Sequence, residues 1–133
     1  MLHASAVALL LWACSSAPQQ DGMSTYSCKA PPADLVACSI DADCAPVVLG
    51  CYCGAQPVVG TARRYATTAQ ICEDAAASMC ALGCANEPGQ LAQDGNKPDV
   101  GTRIAVRCDQ SGGTPGTCKT YVTSDPSGPP SGW

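Results

Sequence analysis

Residues 38–54 read CSIDADCAPVVLGCYCG, and this stretch decides what kind of fold the chain can form. Four of the eleven cysteines fall within it. Cys38 and Cys44 bracket a turn carrying Asp41 and Asp43, Val47 to Leu49 form a short apolar run, and Cys51 and Cys53 close the stretch as a C-x-C pair. So dense a cluster reads as a disulfide hub. Its partners must come from the rest of the chain, where Cys28, Cys72, Cys80, Cys84, Cys108 and Cys118 stand.

Composition explains why a hub is needed. The 133 residues include no Phe, and the aromatics are Trp12, Trp133 and four Tyr. A small chain whose apolar residues are mostly Ala, Val and Cys buries little surface per residue and depends on covalent staples. Cysteine at about 8% of so short a chain marks a scaffold built in an oxidising, extracytoplasmic compartment. The net charge is −4 and the basic residues are scattered, with Arg63-Arg64 the one adjacent pair. That pattern lacks the basic stripe nucleic acid requires, so no nucleic-acid partner is expected.

Outward from the hub toward the C-terminus, residues 54–60 read as loop. The Ala-rich run over 61–81, free of Gly and Pro, predicts a helix. Tyr65, Ala69, Cys72, Ala76 and Cys80 share the face expected to pack on the hub, whereas Arg63, Gln70 and Asp74 are expected to lie away from it. Gly83 is placed to end the helix. Residues 85–100, punctuated by Pro-Gly, Asp-Gly and Lys-Pro, read as a long exposed loop with no core to join. Residues 102–108 and 117–123 then form two strands of a hairpin joined by 109–116. The fold class expected is therefore a small disulfide-rich α+β domain, with one Ala-rich helix packed on the cysteine hub and a C-terminal β-hairpin. The domain spans 28–122, and 123–133 reads as a disordered tail.

Toward the N-terminus, residues 1–13 (MLHASAVALLLWA) form an apolar run too short to span a membrane and read as a signal peptide. Residues 14–27 are then a cysteine followed by a polar, Pro- and Gly-containing flexible tether. Pro18 disfavours cleavage after the small residues Ser15 to Ala17, the alternative being ordinary secretion. Either route removes Cys14 from the bridge pool and leaves ten cysteines, enough for five bridges.

The residues exclude much chemistry. His3 is the only histidine and lies in the segment expected to be removed, which leaves the mature domain without Ser-His-Asp or Cys-His catalysis or a histidine metal ligand. The pairs Cys51-x-Cys53 and Cys80-x3-Cys84 have thiolate-ligand spacing, but in an oxidising compartment they are expected as disulfides, with no metal and no other cofactor. Asp41 and Asp43 fail the EF-hand pattern, because the sixth position is Pro46 where Gly is required. Their expected role is to accept hydrogen bonds from backbone N–H groups in a turn.

Three resemblances follow from these motifs. Leu11-Trp12-Ala13-Cys14 resembles the lipobox of bacterial lipoproteins. That implies diacylglycerol on Cys14, cleavage before it, and attachment to a membrane, with Ser15 at the next position implying the outer membrane. With its C-x5-C, cysteine cluster, Ala-rich helix and C-terminal hairpin, the mature chain resembles the small cysteine-rich lipoproteins of Gram-negative bacteria. The hub alone is similar, in part, to the start of the whey-acidic-protein four-disulfide core of secreted protease inhibitors. The expected function is thus a non-enzymatic, lipid-anchored binding or structural module that meets the membrane through its lipid and a protein partner through its domain. The rival is a disulfide-constrained protease inhibitor presenting residues 45–50 as a clipped, rigid loop.

Overall fold

The computed structural model describes residues 22–126. The segment expected as a signal peptide, Cys14, the expected tether as far as residue 21 and the expected tail from residue 127 lie outside the described residues. Seven elements follow in order: β1 (Ala37–Cys38), β2 (Cys44–Val48), β3 (Gly54–Ala62), α1 (Arg63–Ser78), β4 (Asn86–Leu91), β5 (Arg103–Asp109) and β6 (Gly116–Thr123). They form the expected disulfide-rich α+β fold, as two three-stranded sheets ordered β1-β6-β5 and β2-β3-β4 with one helix against the second.

The C-terminal hairpin forms where its alternating residues place it. β5 and β6 pair antiparallel with Cys108 opposite Cys118, and Ile104, Ala105 and Val106 are all buried. A strand buried on both faces at its centre has neighbours on each side, so Ala105 joins the interior beside Ile104 and Val106. On the other edge of β6, β1 covers Gly116 and Thr117. Past β1 the side chains of a loop take over. Gln93 Oε1 accepts the Thr120 N–H at 3.0 Å and Asp94 Oδ2 accepts the Val122 N–H at 3.1 Å, so β6 has no bare edge there.

Two sequence expectations are corrected in the second sheet. Residues 54–60, expected as loop, belong to β3, which pairs antiparallel with β2 and parallel with β4. Tertiary pairing and the burial of Ala55 and Val58 outweigh the poor strand propensity of its Gly and Pro. Residues 85–100 are not all exposed loop. Residues 86–91 form β4, and Ala92, 3% exposed, packs in a cluster with Val48, Val58 and Ile104. The sheets meet where Gly60 passes the backbone of Cys118. A Cβ at Gly60 would lie 2.5 Å from the Cys118 carbonyl carbon, so only glycine allows the approach.

The helix starts at Arg63 rather than 61 and ends at Ser78 rather than 81. Gly83 lies beyond it in a loop with φ +69°, and the helix stops at Met79, whose N–H turns back to the carbonyls of Ala76 and Ala77.

The ten cysteines form five bridges: Cys28–Cys72, Cys38–Cys108, Cys44–Cys118, Cys51–Cys80 and Cys53–Cys84. Every one but Cys28–Cys72 uses a cysteine of residues 38–54, so the stretch is the hub. Cys38, Cys44, Cys118 and Val106 form a buried cluster of their own, in which sulfur replaces the aromatic bulk the chain lacks. Five bridges belong to an oxidising, extracytoplasmic setting. Among the described residues no helix is long and apolar enough to cross a membrane.

Candidate functional site

The seam between α1 and β2 builds the site. β2 is an edge strand on its helix side, and Pro46 at its centre offers no N–H there. Arg63 Nη2 donates to the Cys44 carbonyl at 2.7 Å and its Nε to the Ala42 carbonyl at 2.7 Å. Gln70 Oε1 accepts the Val48 N–H at 2.9 Å, while its Nε2 donates to the Val48 carbonyl at 3.2 Å. Glu73 Oε2 accepts the Gly50 N–H at 3.0 Å. Residues 63, 70 and 73 recur at helical spacing, so one polar stripe of α1 stands in for a missing strand.

This corrects the expected helix face. Arg63 and Gln70, expected to lie away from the hub, are bonded to it. Asp74 is exposed and accepts a hydrogen bond from Gln70 Nε2 at 2.9 Å. Of the residues expected to face the hub, Ala69 is buried and Tyr65, Cys72 and Ala76 are half-buried, but Cys80 is exposed.

On its other flank α1 holds the N-terminal segment. The Ser24 N–H donates to the Arg64 carbonyl at 3.0 Å, and Thr68 Oγ1 to the Ser24 carbonyl at 3.3 Å. Tyr26 meets Tyr65 edge to face with centroids 5.9 Å apart, and Cys28 is bonded to Cys72. The end of the stretch expected as tether, from Ser24 on, therefore runs along the helix. Asp34 completes the attachment, 2.6 Å from Arg64 Nη2 and accepting from the Tyr65 hydroxyl at 3.1 Å. The hydrogen bond from Arg64, joined by that from Tyr65, holds its carboxyl below the usual carboxylate range.

Between this segment, α1 and the outer face of β2 and β3 lies a cleft of about 380 Å³. Its walls are Pro31, Leu35 and Val36 on the segment, Val47, Leu49 and Val59 on the sheet side, and Ala69 with the Cys28–Cys72 bridge at the helix. Glu73 and Tyr26 are the ionisable residues that line it, with Thr61 and Gln93 as further polar groups. Partial burial, with the negative charge of Glu73 nearby, holds the Tyr26 phenol above its ordinary range. Glu73 is fixed in place. A Cβ at Gly50 would sit 1.9 Å from the Glu73 carbonyl oxygen, so the chain can pass the helix here only as glycine and brings its N–H to the carboxylate.

The other expected site residues are accounted for individually. Asp43 Oδ2 accepts the Ser39 and Ile40 N–H groups at 2.8 and 3.1 Å, which lowers its pKa, and so acts as the turn cap expected. Asp41 reaches instead across the fold to the Cys108 N–H at 2.8 Å. The pairs Cys51-x-Cys53 and Cys80-x3-Cys84 are joined crosswise as bridges. Cys38, Cys44 and Cys118 bring three sulfur atoms within 4.8 Å of one another, yet each is committed to a bridge and none is a thiolate. Residues 45–50, expected as a clipped loop in the inhibitor reading, include most of β2 and lie under α1, with Val47 2% exposed, so they cannot enter an enzyme's active site. Sequence reasoning missed Glu73 and Tyr26. The available signal was the 63-70-73 spacing of polar residues opposite a Pro-containing apolar run.

The chain matches no family model, no curated protein and no solved structure in comparisons with known proteins.

Proposed function

We propose that this chain is a lipid-anchored, outer-membrane, cysteine-rich module with a non-catalytic binding role, and that the cleft between α1, the N-terminal segment and the β2–β3 face is its binding surface. The observation that carries the binding role is the cleft itself. It is apolar, of small-molecule size, and walled by elements fixed through bridges, so little conformational entropy is lost when it is filled. The non-catalytic part of the reading is supported by the sequence, whose one histidine, His3, lies in the segment expected to be removed.

Support for the anchor comes from the sequence, in the apolar run ending at Leu11-Trp12-Ala13-Cys14 and the polar residues after it. A diacylglycerol thioether together with an N-acyl chain gives stable attachment, where one chain alone binds reversibly. Intact mass of the membrane-extracted protein, before and after reduction, tests this reading. The expected result is a chain beginning at an acylated Cys14, gaining the ten hydrogens of five reduced bridges. Cys14→Ser should abolish the lipid mass. A wild-type chain found free in the medium, starting at Pro18 or later and without lipid, overturns the anchor.

A further inference from the structure

We infer that the cleft selects cations, taking a small aliphatic body that carries a protonated amine seated against Glu73. This rests on the binding role proposed above and names its ligand class.

The lining offers Glu73 and Tyr26 as its ionisable groups and no Lys or Arg, so the lining can carry negative charge and no positive charge. That fact separates three kinds of ligand. An aliphatic anion would place like charge beside the carboxylate. A neutral aliphatic ligand would strip water from the carboxylate and return nothing. A protonated amine pairs with it and donates hydrogen bonds, and charge-assisted bonds of that kind are the strong ones.

Glu73 can do this without giving up its structural bond. Oε2 holds the Gly50 N–H, while a carboxylate has acceptor sites on both oxygens. Because Gly50 and the helix backbone are in close contact, the carboxylate is positioned before any ligand arrives. Tyr26 adds a phenol oxygen that has no hydrogen-bond partner among the described residues. Val47, Leu49 and Val59 give the cleft apolar lining that suits a short alkyl chain, beside the polar but uncharged Thr61 and Gln93.

The test is a titration of the full chain, ¹⁵N-labelled, with butyl-, pentyl- and hexylammonium and with hexanoate and hexanol, followed by amide shifts. The expected result is saturable shifts at Gly50, Val59, Thr61 and Glu73. Affinity should rise about fourfold for each added methylene, the value of one buried CH₂. Hexylammonium should bind at least tenfold more tightly than hexanoate or hexanol. In Glu73→Gln, whose amide oxygen still accepts the Gly50 N–H, that advantage should fall below threefold. The comparison of probes on the wild type needs no variant, so misfolding of E73Q would not shield the inference. Equal binding of hexylammonium and hexanoate overturns the cation selectivity while leaving the cleft as a binding site. Shifts at none of these residues with any probe overturn the cleft as a ligand site, and the anchor, tested by mass, is untouched.

Discussion

Two pairs of bridges in this molecule share one chemistry and do different work. Cys44–Cys118 joins β2 to β6 across the two sheets and Cys38–Cys108 joins β1 to β5 of one sheet, both in one cluster, with Cys44 and Cys118 both 0% exposed. Cys51–Cys80 and Cys53–Cys84 lie at the far end of α1, where Cys53, Cys80 and Cys84 are exposed and the segment from Met79 to Ala85 has no regular structure. Loop length hardly separates them. Cys44–Cys118 spans 74 residues and Cys53–Cys84 spans 31, which in the chain-entropy account gives about 4.4 against about 3.7 kcal/mol. Burial separates them instead. The inner pair is also part of the apolar core, in contact with Val106, and its sulfur fills volume that Phe would fill in another small domain. The outer pair clips a segment to the surface.

That difference predicts the largest effect. Replacing Cys44 and Cys118 together by Ala removes a bridge and leaves a cavity in the cluster, at a cost of about 5 kcal/mol or more, a large share of a small domain's stability. Replacing Cys53 and Cys84 by Ala should cost only the chain-entropy term, about 3–4 kcal/mol, and leave the hairpin and the sheet junction folded. Thermal melting of the two double variants checks this. Equal shifts would show that the bridges act through the unfolded chain alone and that burial adds nothing.

A smaller effect tests the seam that lies between the two bridge pairs. Here α1 meets β2 through hydrogen bonds rather than apolar burial. Gln70→Glu keeps an acceptor for the Val48 N–H but loses the donor to the Val48 carbonyl. It also brings a second carboxylate to Asp74, so a cost of about 2 kcal/mol is expected. Ile71→Glu, on the outer face at 61% exposed, should change stability by no more than about 0.5 kcal/mol. Urea midpoints of the two variants decide the matter. If Ile71→Glu costs as much as Gln70→Glu, the polar stripe does not hold the strand.

Legibility followed the same divide. The hub, the hairpin and the α+β class were visible because cysteine counts, alternating Ile104 and Val106, and a long Ala-rich run are local signals. β3 and β4 were not, since their sequences GAQPVVGTA and NEPGQL carry turn residues, and only pairing across the fold makes them strands. The helix face was misread for a related reason. Periodicity finds apolar stripes, whereas this helix turns Arg63, Gln70 and Glu73 toward an unpaired edge whose existence depends on the strand itself. The cleft was invisible because Tyr26 and Glu73 are 47 positions apart in the chain. They are brought together by a bridge whose partners counting could not choose.

The smallest effect expected is on the acid side, and it falls unevenly on the two regions. Asp109 accepts from Lys119 Nζ at 2.6 Å and from the Ser111 N–H at 3.0 Å, and these bonds hold its carboxyl well below the usual carboxylate range. Partial burial pushes Asp94 upward, but hydrogen bonds from Asn96 and Val122 outweigh it and leave the carboxyl low. Asp43 is lowered by the N–H groups of Ser39 and Ile40. All three border the β1-β6-β5 sheet; the fourth lowered carboxyl, Asp34, is on the N-terminal segment, and the Cys80–Cys84 end has none. For each, the folded pKa lies below the unfolded one, so in between the unfolded chain binds more protons and stability falls as the pH falls. The contribution is complete above about pH 5 and is lost as the pH drops below about 4 through the folded-state values. None of these groups is fully buried, so the bridges should hold the fold while the sheet edge loosens. Hydrogen exchange at pH 6 and pH 2.5, corrected for intrinsic rates, is the measurement. Loss of protection at Val122 and Ser39 with little change at Val48 and Leu49, whose partners do not titrate, is expected, and uniform loss at both ends would dissolve the distinction between the two regions.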